Sequence, residues 1–365
     1  MRILFATTAG IGHFRPLLPF AAASAAAGHE VAVAAPRSFA RQVAAAGHRH
    51  LPFDDVPPVT LAALHREAAR DPGGTDRFAA ELFGRLAAGA ALPGLREAVE
   101  TYRPALIVRD VAELGSLVAA ASYGIPEIPL VGSLQDFARR LLADAVPLLA
   151  PLGLGFAPPD TPSLSLFPAA VDPAAQPPAV HRFRDGTAPA RAVPVRPVVY
   201  LSYGTVAPGD TEGAAALRAS ADVLSGLPVD LVVSTGRSEP SIWRGVGRNV
   251  RARPWVDEDR VLARASAVVC HGGAGTTLAA LRAGVPLVVV PRFGDQPAIA
   301  GAVAASGTGL RLPDGGAPKP DDLLEAAERV LGEPSFSERA AALAREIGAL
   351  PPVAEAVPLF ERLAA

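Results

Sequence analysis

Ala267-Val268-Val269-Cys270-His271-Gly272-Gly273-Ala274-Gly275-Thr276-Thr277-Leu278 decides the fold. A short apolar run enters a turn rich in glycine and leaves it into a helical pattern over 277–283. Strand, glycine turn and helix in that order form the repeating unit of a parallel α/β sheet. Glycine lets the backbone turn tightly and approach a ligand closely, and a helix start presents unpaired N–H groups and the positive end of its dipole to an anion. His271, Thr276 and Thr277 add side-chain donors. A plain strand-to-helix turn needs one glycine and a cap, so a histidine with Gly272, Gly273, Gly275 and two threonines reads as a socket for a diphosphate.

Working outward, strand patterns over 198–202, 229–234, 250–253, 267–270, 287–290 and 309–312 alternate with helical patterns over 212–224, 277–283, 296–305, 321–331 and 335–347. The start of the chain repeats the scheme. Strands are expected over 3–7, 29–34, 105–109 and 127–131, with helices over 16–27, 38–46 and 114–123. Residues 59–101 are helical in character, broken by Gly73-Gly74 and Pro93-Gly94, and are not expected in a sheet. Prolines crowd 147–197, the expected domain junction. Strict alternation on both sides of it predicts two doubly wound α/β domains, 1–196 (with a linker over about 158–196) and 197–350, with a ligand crevice between them at the carboxyl ends of the strands.

At 365 residues, two cores are the natural expectation. Half the residues are hydrophobic and 19% are charged, which excludes a disordered solvating chain. A formal net charge of -2 carries no electrostatic footprint for nucleic acid or an anionic membrane. Cys270 is the only cysteine, so an intrachain disulfide and a cysteine-rich zinc site are both excluded. The apolar start of the chain is too short for a secretory segment, and no run reaches the ~18 apolar residues of a membrane span. A cytoplasmic protein is expected.

Several motifs stand in a fixed order: Gly12-His13-Phe14-Arg15-Pro16-Leu17, Ala27-Gly28-His29-Glu30-Val31, Val199-Tyr200-Leu201-Ser202-Tyr203-Gly204-Thr205, Pro254-Trp255-Val256, the His271–Thr277 run, Ala283-Gly284-Val285-Pro286 and Asp295-Gln296-Pro297. With them the chain resembles the GT-B-fold, nucleotide-sugar-dependent glycosyltransferases that decorate natural products, above all bacterial enzymes acting on polyketides and macrolides. The resemblance implies an acceptor-binding first domain, a donor-binding second domain, and no cofactor beyond the nucleotide-sugar co-substrate. Residues 351–365 are expected to form a helix that packs back on the first domain. A homodimer is compatible with the resemblance.

The same resemblance distributes roles. Trp255, followed by Val256, would stack on the nucleobase. Gly204, Thr205, His271, Gly272, Gly273, Gly275, Thr276 and Thr277 would hold the diphosphate, and Asp295 and Gln296 the sugar. His13 would be the general base, since imidazole is neutral and basic near pH 7, with Asp110 fixing its tautomer. Glu113 is the rival carboxylate. Inversion, without a metal, would follow from in-line attack. Plant members place a ribose-binding glutamate where Ala279 stands, so a thymidine diphosphate (dTDP) sugar is expected. Phe14, Phe78, Leu134 and Phe137 are expected to line an apolar acceptor pocket, with Phe53, Phe83 and Leu141 as further candidates.

Other readings weigh less. Asp257-Glu258-Asp259 has the Asp-x-Asp form of a metal site, but three acids opening a short helix after Trp255 complement its dipole. Gly273-Ala274-Gly275 begins like a dinucleotide fingerprint, yet Leu278 occupies the third glycine's place. His48 and His50 lack cysteine or carboxylate company. A nucleotide-sugar epimerase of the same fold and a non-catalytic auxiliary homologue are the alternative functions.

Overall fold

Ile3, Leu4, Phe5 and Ala6 are fully buried, so the strand they form, β1 (Arg2–Ala6), is covered on both faces. Continuous rather than alternating apolar character marks a strand inside a parallel sheet flanked by helices. The first sheet adds β2 (Glu30–Pro36), β3 (Arg49–Phe53), β4 (Leu106–Asp110), β5 (Glu127–Val131), β6 (Ser163–Ser165) and β7 (Val180–Arg182). Their order is β3-β2-β1-β4-β5-β6-β7, with every pairing parallel. The second sheet contains β8 (Val198–Ser202), β9 (Asp230–Ser234), β10 (Val250–Arg253), β11 (Ala267–Cys270), β12 (Leu287–Val289) and β13 (Gly309–Arg311). Its order, β10-β9-β8-β11-β12-β13, is again wholly parallel. Both are Rossmann-like sheets.

The structure is a computed structural model that describes residues 1–68, 75–154, 161–173, 179–204, 209 and 211–365. The chain divides into two compact units: Met1–Phe167, Ala174–Asp185 and Pro351–Ala365 make the first, Pro168–Pro173 and Gly186–Leu350 the second. The end of the chain joins the first unit through aromatic packing. Phe360, on the helix Val357–Leu363, lies 6.4 Å from the Phe20 ring, which meets Phe183 edge-on at 5.7 Å.

Some elements differ from the sequence-based expectation, each for a physical reason. Pro93-Gly94 does not break the helical stretch but lies inside the helix Ala88–Tyr102. A Cβ on Gly94 would come within 2.7 Å of Phe53 Cβ, so the glycine permits this helix to press against β3. β3 itself is an edge strand containing Arg49, His50 and Pro52, a composition with little strand signal. β6 and β7 are three residues each and sit inside the proline-rich stretch. The helix after β11 starts at Ala274 rather than 277, because Gly273 itself occupies the N-cap.

Candidate active site

In the second unit β8, β11 and β12 lie side by side, with Cys270 registered against both Ser202 and Val289. The segments that leave their carboxyl ends therefore meet. The His271 ring is clamped between two glycines: a Cβ on Gly204 (φ +73°) would lie 2.7 Å from its Cε1 and Nε2, and one on Gly273 would overlap Nε2. Gly272 has φ +83°, and a Cβ there would meet Val289 at 2.9 Å and the Gln296 carbonyl at 3.1 Å. These three glycines are required by contact or by φ. Gly275, exposed in the helix Ala274–Arg282, meets nothing within 4 Å at its Cβ position.

Enclosure controls the chemistry of this turn. Burial, with a smaller contribution from the nearby Arg292 guanidinium, lowers the His271 imidazole to about 4, so the ring is neutral at physiological pH. Its Nδ1 is buried without a hydrogen-bond partner. The helix that follows, with Thr276 in its first turn, has no side-chain cap, so its first N–H groups carry no capping side chain. Thr277 is fully buried beneath, against Cys270. Burial raises the Cys270 thiol to about 11, which makes it an inert core residue.

The remaining second-unit residues divide. Trp255 is 62% exposed, with half-buried Val256 beside it. Asp295 makes no capping bond to the helix Gln296–Ala305 that it precedes. Gln296 is buried, and its Oε1 accepts the backbone N–H groups of Arg292 at 3.0 Å and Phe293 at 3.2 Å. Its amide oxygen thus shapes the Pro291–Asp295 turn, and the NH2 group is the end that can donate to a ligand. Thr205 lies outside the described residues. Asp257 caps its helix by accepting the Arg260 N–H at 3.1 Å, and Asp259 pairs with Arg282 at 2.8 Å. Among the described residues, no cluster of three His, Cys, Asp or Glu could hold a metal ion.

In the first unit β1 pairs with β4, so the turn after Ala6 comes beside Asp110. His13, on the one-turn helix Ile11–Phe14, places Nδ1 2.9 Å from Asp110 Oδ2. The carboxylate is almost fully buried while the imidazole side chain is 34% exposed, so the ring bridges the interior and solvent. Gly10 (φ +136°) makes room, since a Cβ there would stand 2.9 Å from His13 Cδ2. β4 is anchored just before Asp110 by the buried Arg109–Glu127 pair at 2.8 Å. Glu113 is occupied otherwise: its carboxylate accepts N–H groups from Gly115 at 3.1 Å and Ser116 at 2.8 Å, which starts the helix Gly115–Tyr123. Burial pushes its pKa up.

The apolar candidates are scattered. Phe83 meets His13 edge-on at 5.6 Å and joins Ala79, Ala112 and Leu141 in a small cluster. It sits on the π-helical turn Ala80–Ala87, a distortion that recurs at functional sites. Phe14 is buried against Phe39 at 6.0 Å, and Leu134 is buried as well. Phe53 is core beneath Gly94, Phe137 is half-buried, and Phe78 packs on His65 at 5.2 Å. The sequence reading passed over Gly10, whose signal is a glycine three residues before a histidine in a strand-end turn. It also passed over Arg292, a lone cation three residues ahead of Asp295.

Residues 220–363 match the family model of the erythromycin biosynthesis protein CIII-like C-terminal domain. The chain is 33% identical to the L-demethylnoviosyl transferase of Streptomyces niveus, covering 86% of this chain and 85% of that protein. It is also 33% identical to the elloramycin glycosyltransferase ElmGT of Streptomyces olivaceus, covering 97% and 95%. Among solved structures, the glycosyltransferase SsfS6 of Streptomyces sp. SF2575 complexed with thymidine diphosphate matches with a TM-score of 0.78 at 27% identity, over 99% of each chain. No helix among the described residues is long and apolar enough to cross a membrane. The chain belongs to the GT-B-fold glycosyltransferases of antibiotic and polyketide biosynthesis, and it is an enzyme of sugar transfer.

Proposed function

We propose that the enzyme transfers a sugar, of the deoxy type, from a dTDP-linked donor to an apolar natural-product aglycone with inversion at the anomeric carbon and without a metal. The observation that carries this reading is the 2.9 Å pairing of His13 Nδ1 with the buried Asp110. A proton held on Nδ1 puts the basic lone pair on Nε2, where it can take the acceptor's proton. Asp110 then stabilises the imidazolium that forms. In-line attack opposite the leaving diphosphate inverts the centre and needs no enzyme-linked sugar.

Donor duties fall to the second unit. His271, as a neutral imidazole, with Thr276 and the N–H groups of the helix start would meet the charge growing on the diphosphate. Trp255, exposed and flat, suits a nucleobase. Asp295 and the Gln296 NH2 would hold sugar hydroxyls. Two observations favour dTDP: Ala279 offers no carboxylate for a 2′-hydroxyl, and a relative has been captured with thymidine diphosphate. The Phe83 cluster beside His13 is the apolar surface on which an aglycone would rest.

The test is incubation with dTDP- and UDP-sugars and a panel of aromatic and macrolide aglycones, read by mass spectrometry and by the anomeric coupling of the product. A glycoside of inverted configuration, with calorimetry showing dTDP bound more tightly than UDP, is the expected result. Donor isomerisation without acceptor would establish an epimerase instead, and UDP bound about tenfold more tightly, a difference of about 1.4 kcal/mol, would overturn the dTDP assignment.

A further inference from the structure

Every group so far assigned to the diphosphate is uncharged: a neutral imidazole, a threonine hydroxyl and backbone N–H groups. A nucleoside diphosphate brings at least two negative charges, and sequestering them without a countercharge is costly. Arg292 is the first residue after Pro291, beyond the carboxyl end of β12, and so enters the rim next to His271.

Its anchors span that rim. Nη1 donates to the Gly316 carbonyl, in the segment following β13, at 3.1 Å. Nη2 stands 3.7 Å from Glu212, in the first turn of the helix Thr211–Leu224 that follows β8. In the order β8-β11-β12-β13 these contacts lie on either side of the end of β11, where His271 begins. The backbone of Arg292 is fixed as well, by its N–H bond to the Gln296 amide.

The charge is poorly compensated where it sits. The Arg292 side chain is 9% exposed, and its only carboxylate partner among the described residues, Glu212, is 77% exposed. A pair of that length, with one partner in water, is weak. Arg292 Nε is buried with no hydrogen-bond partner at all. The guanidinium acts on both His271 and Tyr203, at the ends of β11 and β8: it adds to the lowering that burial imposes on the imidazole and offsets part of the rise that burial imposes on the phenol, so its field covers the turn. A buried, half-neutralised guanidinium beside an uncharged anion cradle is an incomplete ion pair.

We propose that Arg292 is the cation of the donor pocket, supplying the positive charge that the His271 turn lacks for the donor's diphosphate. This rests on the donor reading given above. The same charge adds to the burial that keeps His271 neutral, so that the imidazole serves as a hydrogen-bond partner rather than competing as a second cation.

The test is calorimetric titration of the full-length protein and its Arg292→Gln, Arg292→Lys and Glu212→Gln variants with dTDP, with inorganic pyrophosphate and with thymidine. The expected result is that R292Q, with an unchanged melting temperature, binds dTDP and pyrophosphate about tenfold or more weakly, the size expected for a lost charge-assisted contact, while thymidine binding stays the same. R292K should restore most of the affinity, and E212Q, an exposed change that removes a competing carboxylate, should bind dTDP at least as tightly as the native protein. Folded R292Q with native dTDP affinity, or equal weakening of dTDP and thymidine, would overturn the proposal. If R292Q unfolds, weaker dTDP binding by E212Q would overturn it instead. Native protein that binds neither dTDP nor UDP would remove the donor reading itself, an outcome distinct from failure of the Arg292 variants alone.

Discussion

His13 and His271 each stand in the segment that follows a buried parallel strand, and their surroundings differ sharply. His13 is one-third exposed and faces a buried carboxylate at 2.9 Å. His271 is squeezed between Gly204 and Gly273, near Arg292, and its pKa falls to about 4, an environment that refuses one. The residue type is therefore uninformative by itself. What separates the two rings is whether the fold supplies a carboxylate or withholds one.

The sharpest way to break that contrast is at His13. His13→Ala should reduce the turnover of sugar transfer by about 10²–10⁴-fold, the range for loss of a general base, with little change in donor KM. Turnover within a few-fold of native would show that the base lies elsewhere. Asp110→Asn comes next, with an expected loss of about 10–100-fold, since an orienting partner matters less than the group it orients. The pH profile of this variant, measured by initial rates, should rise at a different pH from the native one.

Gly204→Ala tests the other histidine. Its Cβ would fall 2.7 Å from the His271 ring at a φ of +73°, so the ring must move and the backbone is strained. We expect dTDP to bind about tenfold more weakly and the melting temperature to fall by the equivalent of about 1–2 kcal/mol. The last is a pH dependence. As pH falls below the ordinary histidine value of 6.5, the unfolded chain takes up a proton that folded His271 declines until about 4, so stability is lost across that window. His271→Gln should flatten this part of a melting-temperature profile, and an unchanged slope between pH 6.5 and 4 would contradict it.

The two units were unequally legible in the sequence. In the second, long apolar strands and glycine turns recur with little else, so β8, β10 and β11 fall where the pattern puts them, and the His271–Thr277 turn can be read as a single string. In the first, β3 carries proline and charge, β6 and β7 are three residues long, and Pro93-Gly94 mimics a break while serving a close helix–strand contact. Pairings between distant residues were the hardest to read. That Asp110 rather than Glu113 faces His13 depends on strand order and on Glu113 being used to start a helix, neither of which spacing reveals. Phe14, next to His13 in sequence, turns into the core, while Phe83, seventy residues away, meets the imidazole. Arg292 gave no motif signal, because its meaning lies in Gly316 and Glu212.

The division of labour proposed for the two histidines is tested most directly by calorimetric titration of dTDP into the His13→Ala and His271→Ala proteins. Native affinity is expected for the His13 variant and binding weakened about tenfold or more for the His271 variant. Equal affinities in the two variants, or weakening confined to the His13 variant, would contradict it.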